Sequence, residues 1–333
     1  MKKIINNPDQ FVDEMVEGIL LAHPDQVRTP GDDRRVLVRA DSPAPGRVGI
    51  VTGGGSGHLP LFKGYVGKGL CSGVAIGNVF SSPSVQQCAD AAKAVDGGAG
   101  VLFLYGNYGG DVFNFDLAVD LLELDGIETR TVLGCDDVAS QPKERAKDRR
   151  GVAGIFFAYK AAGAAAERGD SLDEVAAVAQ KVVDNTASMG VGLSPTILPT
   201  TGAASFDLPE GEMEIGIGIH GEPGIHRGPL GTADEIADQI LDSVIPDLGL
   251  AEGDRVAVLV NGLGATPLEE LYLLYRRTHQ RLEELGVIIE RRYIGEYATS
   301  LEMAGASISL LKVDDELLEL LDAPAQSPFF REV

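Results

Sequence analysis

Cysteine is scarce in this chain of 333 residues and basic side chains are outnumbered, and each shortage removes a class of function. Cys71, Cys88 and Cys135 lie far apart, form no CxxC pair and join no histidine cluster, so neither a disulfide framework nor a zinc site is expected. That usage fits reduced thiols in a cytoplasm. Lysine and arginine number 28 against 50 aspartates and glutamates, a formal charge of -22. Such a field repels phosphate backbones and anionic lipid, which argues against nucleic-acid and membrane partners. The acidic surplus is spread along the chain rather than gathered in a tail, as in a solvated surface.

Long apolar runs are also missing. The opening MKKIINNPDQFVDEM carries two lysines but no apolar stretch of signal-peptide length, and no other segment approaches an uninterrupted membrane span. A soluble, unexported protein is the expectation. No repeat of fixed period and no low-complexity tract occurs, which sets aside solenoids and disordered linkers. What is present is ordinary globular material, 44% hydrophobic and 23% charged, long enough for two packed domains.

Asn7 and Pro8 open an amphipathic helix marked by Phe11, Val12, Met15, Val16, Ile19 and Leu20. Three segments then read as strand followed by loop: VGIVTGGGSGH, VLFLYGNYGGD from Val101 and TRTVLGCDD from Thr129. Helical stretches around Phe115–Leu124 and Gly154–Arg168 alternate with them. Ser171 and Glu174 form a capping box for a helix in SLDEVAAVAQKVVDNTASMG, expected to end at Gly190. From about Val191 come a Pro, Thr and Gly linker, a strand-like EIGIGIHGEPG, a helix from Thr232, the strand RVAVLVNGLG, a long helix from Pro267 and β-rich segments near Val287 and Ile308. Alternating strands and helices predict an α/β protein of two α/β domains, residues 1–190 and 191–333. The first carries a largely parallel or mixed sheet flanked by helices, and the tail from about residue 320 is expected to pack back on it.

The loop GGGSGH at Gly53–His58 fits no common nucleotide or nucleophile motif. Both a dinucleotide fingerprint and a nucleophile elbow require glycine where His58 stands, and the nearby GYVGKG lacks the spacing and hydroxyl residue of a Walker loop. What remains is a pliant backbone, the Ser56 hydroxyl and the His58 imidazole, a set suited to sugar hydroxyls. Asp111 ends NYGGD, where it either faces a ligand at a strand end or caps the helix that follows. His220 sits in GIHGEPG with glycines around its ring, and a neutral imidazole there can attack a carbonyl carbon and hold a ketone as a hemiaminal. His23 and His279 read as surface residues and His226 stays open. VNGLGATP reads as an ordinary strand–turn–helix connection.

With GGGSGH, GYVGKG, FSSPSV, NYGGD, RRGVAG, SMGVGLSP and GIHGEPG in this order, the sequence resembles the K subunit of dihydroxyacetone kinases over nearly its whole length. The resemblance implies a homodimer of two α/β domains that traps dihydroxyacetone covalently on His220. It implies that Gly55, Ser56, Gly57 and His58 contact the substrate, that Asp111 takes the proton of the attacking hydroxyl, and that His58 assists. It also implies that this chain holds no nucleotide and no metal. ATP, or ADP phosphorylated in place, would sit with magnesium on an L-type partner, recharged in some systems by a phosphotransferase-system protein.

Two departures stand beside the implied pocket. The family usually reads Glu where this chain has Leu59, and Lys where it has Gly106. Losing a cation and a carboxylate there leaves room for a different short ketose such as erythrulose. Some relatives of the family act as non-catalytic coactivators of a transcription regulator, and the joint presence of His58, Asp111 and His220 argues for the kinase role instead.

Overall fold

The computed structural model describes residues 2–333. In chain order the elements are α1 (Phe11–Ala22), β1 (Val27–Arg28), β2 (Val36–Arg39), β3 (Gly49–Ser56), β4 (Gly73–Val79), α2 (Val85–Val95), β5 (Val101–Gly106), α3 (Gly109–Leu124), β6 (Thr129–Gly134), α4 (Ile155–Arg168), α5 (Leu172–Asp184), β7 (Thr186–Gly192), β8 (Glu212–Ile215), β9 (His226–Pro229), α6 (Ala233–Leu248), β10 (Arg255–Gly262), α7 (Leu268–Glu284), β11 (Ile288–Gly295), β12 (Gly305–Lys312), α8 (Asp315–Asp322), β13 (Ala325–Gln326) and β14 (Arg331–Glu332). None of the described helices is long and apolar enough to cross a membrane.

The chain forms two compact units that are discontinuous in sequence, whereas the sequence reading drew one boundary after residue 190. The first unit comprises the residues up to Gly134 with Phe156–Val182 and Glu319–Val333, and the second comprises Cys135–Ile155 and Val183–Leu318.

In the first unit six strands lie in the order β1-β2-β4-β3-β5-β6. β3, β4, β5 and β6 run parallel, while β1 and β2 are antiparallel additions at one edge. Every residue of β5, VLFLYG, is buried, as a parallel strand covered on both faces requires. Val51, Val101 and Phe103 pack on Ala89 and Ala92 of α2 and on Phe115 and Leu122 of α3. Each large apolar side chain taken out of water in this way contributes about 1.5–3 kcal/mol. Elsewhere in the unit the Thr52 hydroxyl meets the Tyr159 hydroxyl of α4 at 2.7 Å. Asn7 and Pro8 open a short 3-10 turn, Pro8–Gln10, in which the Asn7 side chain accepts from the Asp9 N–H; α1 itself begins after it at Phe11, with Gln10 at its N-cap, and buries Val12, Val16 and Ile19. The tail forms a small β13–β14 hairpin, and the Phe330 ring rests 5.2 Å from Phe156.

In the second unit the order is β11-β10-β12-β7-β8-β9, antiparallel except for β10 with β11. Val256, Val258 and Val260 alternate along β10 to face Ile236, Ile240 and Val244 of α6 and Leu271 and Leu274 of α7. Thr232 and Glu235 form a capping box that starts α6.

Local structure departs from the sequence reading in three places. The Ser171–Glu174 box is present, but α5 stops at Asp184 and TASMGVG forms β7, the strand paired with both β12 and β8. The β-branched and small residues there gain more from a buried ladder than from another helical turn. β3 continues through Gly53–Gly55 to Ser56 instead of stopping at the glycines. EIGIGIHGEPG is strand only to Ile215; the remainder is an ordered loop in which Ile217 and Ile219 are buried.

Candidate functional site

β4 lies on one side of β3 and β5 on the other, so the chain reverses its direction of travel across the sheet between β3 and β5. Ligands of open parallel sheets bind beyond the carboxyl ends of the strands at such a reversal. β3 ends there with GGGS, Gly57 and His58 follow it, and NYGGD follows β5.

The three glycines at the end of β3 first serve packing. A Cβ on Gly53 would stand 2.8 Å from the Phe115 ring, one on Gly54 2.6 Å from the Phe62 ring, and one on Gly55 2.8 Å from the Ser81 nitrogen. The Ser56 hydroxyl is fully buried and donates to the Gly77 carbonyl at 2.9 Å, so its proton serves the fold and only its lone pairs face other partners. Gly57 has φ 109°, a conformation that turns the chain and that L side chains rarely adopt.

The His58 ring is fully buried, stacked on Phe80 at 5.0 Å with an 18° interplanar angle and met edge-on by Phe62 at 6.2 Å. Both phenylalanines have positive φ, 64° for Phe62 and 54° for Phe80, a strained backbone for a bulky residue. Phe80–Ser82 also links the two loops, because a Cβ on Gly110 would lie 2.6 Å from the Ser82 hydroxyl.

Asp111 is the third residue of α3, whose N-cap is Tyr108. The capping alternative is thereby corrected: the buried carboxylate sits within the first turn, where the helix dipole favours negative charge. Burial chiefly, with the Asp111 charge adding to it, raises the nearby Cys88 thiol far above its ordinary range.

The second unit carries His220, a quarter exposed. Its Nδ1 lies 2.8 Å from Glu222 Oε1, and its backbone N–H donates to Glu222 Oε2 at 2.9 Å. Burial opposes ionisation of Glu222, but its interactions with the His220 ring and with backbone N–H groups outweigh it and hold the carboxyl at about 2. The Gly-Ile alternation now has a local cause. The isoleucines anchor the loop, while Gly218 leaves room for two side chains: a Cβ there would be 2.2 Å from Glu222 Oε2 and 2.6 Å from Arg150 Nη1. Among the described residues no group of three or more His, Cys, Asp or Glu side chains is placed to hold a metal ion.

Residues 17–329 match the Dak1 domain. The chain belongs to the Dak1 domain family. It is 47% identical to the dihydroxyacetone-binding subunit of a PTS-dependent dihydroxyacetone kinase from Listeria innocua, over 99% of both chains. It is 43% identical to an L-erythrulose 1-kinase from Mycolicibacterium smegmatis, over 99% of this chain and 58% of that one. Among solved structures, the dihydroxyacetone kinase of C. freundii superposes with a TM-score of 0.91 at 30% identity; the match covers 99% of this chain and spans 60% of that one. The α/β class expected from the sequence holds, and its two six-stranded sheets flanked by helices match the fold of that kinase. Sequence reasoning about this Dak1 chain missed Glu222, Arg150, Phe62 and Phe80. The Glu two residues past His220 was visible within GIHGEPG, whereas Phe80 and Arg150 stood within FSSPSV and RRGVAG with nothing local to say which residues they meet.

Proposed function

We propose that this chain is the ketose-binding subunit of a dihydroxyacetone-type kinase and that it holds a short ketose on His220 as a hemiaminal. The observation that carries the reading is the full-length kinship with a dihydroxyacetone-binding subunit, combined with a partly exposed imidazole that Glu222 orients through Nδ1, so that Nε2 is the nitrogen assigned to the attack on a carbonyl. Gly55, Ser56, Gly57 and His58 line the proposed ketose site, and Asp111 accepts the proton of the terminal hydroxyl as that oxygen attacks the phosphoryl group. Nucleotide and magnesium belong on an L-type partner, with a phosphotransferase-system protein as the phosphoryl source. A homodimer in the cytoplasm is the proposed working form.

Leu59 and Gly106 make the ketose itself the open variable, and kinship with an erythrulose kinase keeps that four-carbon ketose beside dihydroxyacetone. Intact mass under gentle ionisation, after incubation with each ketose in turn, tests the reading. The expected outcome is an added mass equal to the whole ketose that is lost in His220→Ala while the circular dichroism spectrum is unchanged. An adduct that persists in His220→Ala would overturn it.

A further inference from the structure

One carboxylate grips His220 twice, Glu222 Oε1 at the ring and Oε2 at the backbone N–H. An ionised carboxylate only accepts hydrogen bonds, so the ring nitrogen facing it must carry the proton. Glu222 is backed in turn. Arg150 Nη1 stands 4.0 Å from Glu222 Oε2, and Arg150 is aimed by three contacts of its own. Its Nε and Nη2 reach Asp137 Oδ2 at 2.9 and 2.7 Å, and Nη2 donates to the Gly216 carbonyl at 3.3 Å. Asp137 is buried, and its backbone N–H donates to the Arg150 carbonyl at 3.0 Å, so the pair is tied through main chain and side chain alike.

We propose that Glu222 is a positioning residue: it fixes the His220 imidazole as the Nδ1–H tautomer with the Nε2 lone pair presented to the ketone, and the Arg150–Asp137 pair holds Glu222 in place. The role in ketose capture rests on the hemiaminal reading above, whereas the tautomer does not. As the Nε2–carbon bond forms, the carbonyl π pair moves onto oxygen, which takes a proton from solvent. The positive charge this leaves on the ring faces the Glu222 carboxylate until the Nδ1 proton is released, so the ketose adds whole and no water is lost. A carboxylate already in place where that charge develops lowers the barrier, and a fixed ring spares the search for orientation.

Nitrogen-15 NMR of ligand-free protein reads the tautomer directly. In the wild type the His220 signals should show a protonated Nδ1 and an unprotonated Nε2; Glu222→Ala should remove that preference, and Glu222→Asp should restore part of it. Gly218→Ala, which leaves both functional side chains intact but pushes on Glu222 and Arg150, should shift the tautomer in the same direction as Glu222→Ala. The rate of adduct formation should fall about 10- to 100-fold in Glu222→Ala, by analogy with metal-ligating histidines that lose the partner orienting their ring. Melting curves that overlay the wild type establish that the variants are folded. Equal tautomer populations in the wild type, or a Glu222→Ala protein with unchanged tautomer and rate, would overturn the proposal. A fixed tautomer in a wild type that forms no adduct would overturn the hemiaminal reading and leave the positioning role standing.

Discussion

At the residue scale the two histidines are held in opposite ways. His58 is sealed between two phenylalanines, whereas His220 is partly exposed and steered by a carboxylate. The first environment suits a group that supports a substrate through short, water-excluded contacts, and the second suits a nucleophile that a ketone must reach. On the proposed reading Asp111 acts in a later step than His220, because trapping a ketone needs an imidazole and phosphoryl transfer needs a base. Asp111→Asn is therefore expected to form the ketose adduct normally and to lose phosphoryl transfer by about two to four orders of magnitude, the usual contribution of a positioned base. Adduct mass and coupled turnover with a partner, measured on the same sample, check the ordering; turnover retained without an adduct would contradict it.

At the scale of elements, glycine governs how closely segments approach. Gly163 lies inside α4, where propensity alone predicts that alanine would stabilise the helix by about 0.5–1 kcal/mol. Packing predicts the reverse. A Cβ on Gly163 would sit 2.4 Å from the carbonyl of Gly69 and the nitrogen of Leu70, and backbone atoms cannot swing aside as a side chain does. Overpacking of this kind costs about 1–3 kcal/mol, so Gly163→Ala should lower the urea midpoint of unfolding rather than raise it. A raised midpoint would mean that α4 can slide away from the Gly69–Leu70 turn. The same logic separates Gly218 from Gly163, since the atoms that a Gly218 Cβ would meet are the far ends of Glu222 and Arg150 and can yield. That substitution should disturb chemistry more than stability.

At the scale of the whole molecule, charge dominates. Surface ion pairs are numerous, such as Arg276 with Asp234 at 2.7 Å, but each exposed pair contributes only about 0–1 kcal/mol. Against them stands a net charge of -22, whose self-repulsion burdens the folded state. Raising salt from 0.1 to 1 M shortens the screening length from about 10 to about 3 Å, weakening both effects, and the unpaired acidic excess outweighs the pairs. The melting temperature should rise with sodium chloride over that range. A fall would show that the ion pairs, and not the repulsion, set the balance.

Periodicity and caps made most elements legible in the sequence. The helical stripe from Phe11, the capping box at Ser171, the helix start at Thr232, and the apolar runs of β5 and β10 are local patterns, set by side-chain spacing and by hydrogen bonds within a few residues. The motif order likewise carried the family, and with it the expectation for His58, Asp111 and His220. Helix and strand ends were less legible. TASMGVG is helix-compatible by itself, and only the neighbouring β12 and β8 decide that it is a strand. The reason for the glycines at the end of β3, the Phe80 stack on His58 and the approach of Arg150 to Glu222 were decided by tertiary structure alone. A hydrogen bond or a ring contact between segments far apart in the chain depends on how strands are ordered in space, and no local spacing in the sequence encodes that order.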